Sequence, residues 1–304
     1  MLSVARLILC TAVIGALAQP GAAQDARSVS LFLGYGRIEA DERIFDGGDM
    51  ISHLSWSAEV PMATVQIRRD LPSDWLLTGS LSTAVGDGAY MSDLDWLAPD
   101  RADWSHRSLH PDTRLNHYVD ADVAVGRDLA GPAGLSLNLH GGLRYSDVEW
   151  DARGGNLIYS VDGFRDYAAT LAKGLTVVTY RQRQVSLFAG VEAARSFGDW
   201  TMGGRVRGGF GMNPRETDHH WLRDLRFERS YDLTPYIDLS ARLDYRLGDR
   251  TSAFLMARVI RQDDRRGDSR YSEIDSGNEV LRLRGNAGTG LAVSQIGLGL
   301  SHSF

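Results

Sequence analysis

Along most of the chain apolar and polar residues alternate one by one, the period of a β-strand whose two faces meet different surroundings. From Ile237 to Leu247 the odd positions are Ile237, Leu239, Ala241, Leu243, Tyr245 and Leu247, while Asp238, Ser240, Arg242, Asp244 and Arg246 fill the even ones. Val119, Ala121, Val123 and Val125 alternate with Tyr118, Asp120, Asp122 and Ala124. Between Trp200 and Met212 the even face is apolar or glycine, and the odd face carries Arg205 and Arg207. The chain ends the same way, with Ile296, Leu298, Leu300 and Phe304 sharing one face.

Alternation does not say which face looks outward, because a soluble sandwich shows it too. The connections discriminate. Leu71–Asp74, Ser196–Asp199 and Leu247–Arg250 read as tight turns, with a somewhat longer one at Gly126–Gly134. Between them fall long polar connections near 43–50, 86–113, 151–170, 213–228 and 262–285. Short turns on one side and long connections on the other are the habit of transmembrane barrels. The pattern predicts an all-β fold, a ten-stranded antiparallel transmembrane β-barrel with long extracellular loops and short periplasmic turns. A strand closing the chain on Phe304 fits the same expectation.

The two ends fix the compartment. Arg6, the apolar run Leu7–Leu17 and the small residues up to Ala23 form a secretory signal peptide, predicted over 1–23 with the barrel over 24–304. Its ten or so apolar residues are too few for a hydrocarbon core of roughly 30 Å. Cys10 is the only cysteine and lies inside it, so the mature chain has no disulfide and no thiolate chemistry. Arg6 is also the only charged residue there; its loss turns 33 basic residues into 32 against 39 acidic, and the formal charge from -6 to -7. That balance argues against nucleic acid and suits cationic substrates. No run of 18 apolar residues follows residue 23, so the remaining membrane route is a closed barrel in a Gram-negative outer membrane.

Two segments carry candidate chemistry. In Tyr90-Met91-Ser92-Asp93-Leu94-Asp95-Trp96, strand parity sends Asp93 and Asp95 into the lumen together. Neighbouring carboxylates repel when both are ionised, so such a pair tends to keep one proton. In Glu216-Thr217-Asp218-His219-His220-Trp221, Glu216, Asp218 and His220 share a face. A carboxylate beside an imidazole orients it and stabilises its protonated form, which makes a general base toward water. Solvated loop aspartates are the plain alternative for the first pair and a metal site for the second, although adjacent histidines on a strand point apart. No nucleophile elbow and no phosphate-cradling loop occurs.

Several motifs stand together: Asp93-Leu94-Asp95-Trp96, Leu109-His110-Pro111-Asp112-Thr113, Ala152-Arg153-Gly154-Gly155, Gly163-Phe164-Arg165-Asp166, Tyr180-Arg181-Gln182-Arg183 and Asp218-His219-His220. In this order and spacing they resemble the omptins, ten-stranded outer-membrane endopeptidases, over roughly 28–304. The resemblance implies an active site facing the exterior, with an Asp218–His220 couple activating water opposite an Asp93–Asp95 couple, and neither an acyl-enzyme nor a cofactor. It implies basic peptide or protein substrates cut at basic, often dibasic, sites. Glu42 matches one acid of the first specificity pocket, and Glu216 stands where the family usually has Asp. His106 aligns near the acidic residue that selects lysine after the cut.

The resemblance also implies lipopolysaccharide as an activating lipid bound on the barrel exterior. Arg183 matches one member of that cluster, whereas Leu143, Tyr145, Asp147 and Asp232 replace the others, so the dependence is expected to be weakened or to use other contacts. The dibasic pair Arg265-Arg266, in the connection 262–285, is expected to be a self-cleavage liability screened by Asp263, Asp264 and Asp268. The alternative from another class is a catalytically silent omptin-fold adhesin or surface-display barrel. A general porin fits less well, because ten strands enclose a narrow lumen that the charged faces would fill.

Overall fold

The computed structural model describes residues 27–304; the expected signal peptide lies outside the described residues. Twelve strands follow in chain order: β1 (Arg27–Asp46), β2 (Asp49–Asp70), β3 (Trp75–Ala84), β4 (Gly88–Asp95), β5 (His106–Ala130), β6 (Leu135–Tyr159), β7 (Tyr167–Phe197), β8 (Trp200–His220), β9 (Leu225–Ser230), β10 (Leu233–Arg246), β11 (Thr251–Glu273) and β12 (Glu279–Ser303). They occupy ten places around the ring. β3 and β4 are two halves of one barrel strand, both lying between β2 and β5. β9 and β10 are likewise halves of another, between β8 and β11. β1 pairs antiparallel with both β2 and β12, which closes the ring and leaves no free edge.

Side-chain parity holds along each strand, but the chemistry of the two faces inverts partway up. In β1 the outward residues are first Leu31, Leu33 and Tyr35, then Arg37, Glu39, Asp41 and Arg43. The inward ones run from Ser30 and Phe32 to Ile38 and Ala40. The lower wall faces hydrocarbon, so its outer side is apolar; the upper wall stands in water, so apolar groups turn inside. Exposed aromatics mark both ends of the belt, Trp75, Trp200, Tyr245 and Phe304 at the turn side and Tyr35, Tyr145 and Phe210 at the other. Exposed apolar residues confined to such a belt are lipid contacts.

The lumen is layered accordingly. Within the belt Asp120, Asp122, Arg144, Arg207, Asp238 and Arg258 fill it with buried ion pairs, among them Arg258–Asp238 at 2.8 Å and Arg144–Asp120 at 2.5 Å. Above them lies an apolar core of Trp56, Met91, Leu115, Trp150 and Tyr180. The Trp56 and Tyr180 rings stack at 5.4 Å. The chain therefore encloses a plugged barrel, and the upper core is the floor on which the candidate site stands.

The turns at the periplasmic side fall where expected, except that β5 continues to Ala130, which shortens the fourth turn to 131–134. The outer connections are largely strand. β1 and β2 meet across Gly47-Gly48, β8 reaches His220, and β11 reaches Glu273 before β12 resumes at Glu279. Their polar sequences suit walls wetted outside, which is why they read as loops.

Candidate active site

β8 carries the first couple. Asp218 and His220 sit two residues apart on its inward face, with His220 Nε2 2.9 Å from Asp218 Oδ2. A carboxylate accepts, so that ring nitrogen donates, and Nδ1 is left to accept a proton from elsewhere. His219 points the other way and stacks on Trp221, so the adjacent histidines do not converge. Phe227 of β9 packs edge-on against the His220 ring at 4.8 Å and limits its rotation.

β4 carries the second couple on the opposite side of the lumen. Asp93 and Asp95 point inward, and Ser52, opposite Asp95 in the register with β2, lies beside them and favours their ionised forms. Burial, and then the Asp95 charge, raises the Asp93 carboxyl well above the usual carboxylate range, while Arg223 draws it back. Asp95 is raised mainly by burial, partly offset by Ser52, Arg223 and the rings of His106 and His220. Asp218 behaves in the opposite way: burial pushes it up, but His220 and Arg229 outweigh that and hold it low. Two carboxylates disposed to keep a proton thus face a carboxylate held ionised beside an imidazole. Such an arrangement can take a proton from water on one side and supply one on the other.

Glu42 of β1 and Glu216 of β8 are both brought next to this centre, and both are almost completely buried. Tyr231 Oη donates to Glu216 Oε2 at 2.7 Å. Burial lifts both carboxyls, against the pull of Arg229. Arg229 is the unanticipated member. It reaches in from β9, with Nη2 2.6 Å from Glu42 Oε1 and 3.8 Å from Asp218 Oδ2. Neither Arg229 nor Ser52 and Arg223 stands out in the sequence. Each acts through strand register or a turn, and the shared parity of Phe227 and Arg229 on β9 is the one sequence signal that could have pointed to one of them.

The wall beside the site depends on the Gly154-Gly155 bulge in β6. His110 Nδ1 donates to Gly154 O at 2.5 Å, and its Nε2 lies 3.0 Å from Ser108 Oγ. Gly155 has φ +116°, and a Cβ there would stand 2.4 Å from Leu109 O. His106 pairs with Asp95 across β5 and β4 and packs against Tyr159.

Arg183 lies apart from this centre, exposed on the outer face of β7 beside Asp147 in register. Asp147 is itself saturated: His117, Arg181 and the Tyr145 hydroxyl all contact it. Arg265-Arg266 is a correction to the loop expectation. Both residues belong to β11 and pair with Thr289 and Gly288, and Arg266 lies 3.2 Å over the Phe45 ring. Pairing with β12 ties that backbone down on one side, beside a register shift between Gln262 and Arg265.

The sequence profile of the Omptin family matches residues 23–304. The chain is 24% identical to the plasminogen activator of Yersinia pestis over 86% of its own length and 84% of that protein. It is 24% identical to the outer membrane protease OmpP of Escherichia coli, over 83% and 82%. Among solved structures, the outer membrane protease OmpT of Escherichia coli superposes with a TM-score of 0.85 at 21% identity, covering 95% of this chain and 99% of that one.

Proposed function

The chain belongs to the omptin family of outer-membrane proteases, and we propose that it cuts peptide bonds at basic sites with water activated by His220 and Asp218. The reading rests above all on the 2.9 Å His220–Asp218 contact, buried opposite the Asp93–Asp95 pair. His220 Nδ1 takes a proton from water as the oxygen attacks the scissile carbonyl, and the imidazolium forms against ionised Asp218. Asp93 and Asp95, sharing a proton, hold the water and stabilise the oxyanion. The proton on His220 then passes to the leaving amine, so one water is added across the bond and the enzyme returns unchanged.

The acidic groups Glu42 and Glu216 beside this centre favour an arginine or lysine side chain before the cut. Glu216 is one methylene longer than the family's usual Asp, which shifts the balance between arginine and lysine. After the cut, His106 replaces an acid, so a basic residue there is not selected strongly. On the outer wall the charge of Asp147 is already met by His117 and Arg181 and does not hold Arg183 in a lipid-binding cluster, so lipopolysaccharide activates the enzyme weakly. The alternative, a silent adhesin, has no chemical need for both couples.

Single-turnover cleavage in water enriched in oxygen-18 tests the mechanism. One labelled oxygen enters the new carboxyl group in that turnover, and added hydroxylamine traps no acyl product. An acyl hydroxamate, reporting a covalent acyl-enzyme, would contradict it.

A further inference from the structure

Three acidic side chains and one arginine are buried together around one member of the catalytic couple: Asp218 itself, with Glu42, Glu216 and Arg229. β9 sets Arg229 opposite Glu216 in one register and opposite Ser269 in the other, with its side chain directed into the lumen. Its Nη2 meets Glu42 Oε1 at 2.6 Å, and the two side chains are 2% and 1% exposed. A buried pair of this kind stays paired, because parting the charges leaves each uncompensated where water cannot help. Glu216 has no comparable partner. It accepts from the neutral Tyr231 hydroxyl on one oxygen, while its other oxygen, Oε1, is buried without a hydrogen-bond partner.

Resting on the basic-site reading above, we infer that Arg229 determines specificity: it holds Glu42 as an internal ion pair and leaves Glu216 as the carboxylate that meets the substrate's cation. A guanidinium already bound to Glu42 repels a second one arriving at the same place. Glu42, Glu216 and Arg229 together carry one negative charge when all are ionised, enough for one arginine or lysine side chain. Glu42 Oε2 is also without a hydrogen-bond partner, so the ion pair is what separates the two, and the carboxylate that lacks one is the natural seat for it. Glu42 then acts on the substrate only through Arg229.

The experiment compares two peptides that differ only before the cut, one with arginine and one with citrulline, its uncharged isostere. The reading is the ratio of their kcat/KM values. In Glu42→Gln the unpaired Arg229 makes the pocket less negative, and the ratio falls about tenfold or more. In Arg229→Gln the freed Glu42 adds an available charge, and the ratio rises by a similar factor. In the double variant the added and removed charges offset each other, and the ratio returns to within about threefold of wild type. A double variant as poor as Glu42→Gln, or a ratio unmoved by Arg229→Gln, would overturn the inference. Heat-modifiable gel mobility reports which variants form the barrel; if the double does not, Arg229→Gln alone decides. Wild type that cuts both peptides equally would overturn the basic-site reading instead.

Discussion

Asp93 and Asp218 are both buried carboxylates, yet the groups around them send their protons in opposite directions. Burial and Asp95 make ionisation of Asp93 unfavourable, whereas His220 and Arg229 make ionisation of Asp218 favourable. The consequence for stability follows from linkage. A carboxyl raised in the folded state binds a proton that the unfolded chain releases, so stability falls as pH rises from the ordinary carboxylate range to the raised value. Asp93→Asn removes that loss. Its melting midpoint in detergent should match wild type near pH 4 and exceed it at pH 8 by a few degrees, corresponding to roughly 1 kcal/mol or more. A difference between the two proteins that does not change with pH would count against the shared proton. At this scale the four proposed catalytic residues were legible, because strand parity alone places Asp93 with Asp95 and Asp218 with His220. Arg229, Ser52 and Arg223 were not. Ser52 and Arg229 are brought to the centre by strand pairing and Arg223 by the turn after β8, and one strand's pattern carries no register.

At the scale of elements, the site is a product of strands that outlast the membrane. β4 and β8 bring their couples above the lipid belt as hydrogen-bonded walls, and such walls hold side chains more firmly than loops do. This was the part the alternation concealed. Polar outer faces and small bulges made β1, β8 and β11 appear to end early, when only their surroundings had changed from lipid to water. The Gly154-Gly155 bulge is one such place, where the β6 backbone must approach His110 closely. Gly155→Ala puts a Cβ against Leu109 O at a φ that side chains rarely adopt. A cost of about 1–3 kcal/mol is expected, with a lower melting midpoint and loss of the His110–Gly154 contact. Gly48→Ala, with open space around it in the β1–β2 turn, is the control and should leave the midpoint unchanged. Equal midpoints for the two variants would show that the bulge is not under this constraint.

The whole molecule is a closed barrel with three storeys: ion pairs within the membrane, an aromatic core above them, and the polar candidate centre at the outer end. Ring closure through β1 and β12 and an apolar outer face along the lower wall make it an outer-membrane protein. The count of ten places and the side of the short turns were readable from alternation and turn chemistry. The apolar storey was not, because Trp150 and Tyr180 meet through the register of β6 with β7, and Trp56 of β2 reaches them only across the lumen. That storey blocks passage through the lumen and supports the candidate centre, which turns a pore-like wall into an enzyme scaffold.

The central claim is that this centre hydrolyses peptide bonds. Purified, refolded protein, supplied with lipopolysaccharide, should cleave a fluorogenic peptide with a central Arg-Arg, and His220→Ala should lower kcat by about a thousandfold or more while migrating as a folded barrel. No cleavage by folded wild type, or a His220→Ala variant as active as wild type, would contradict the account.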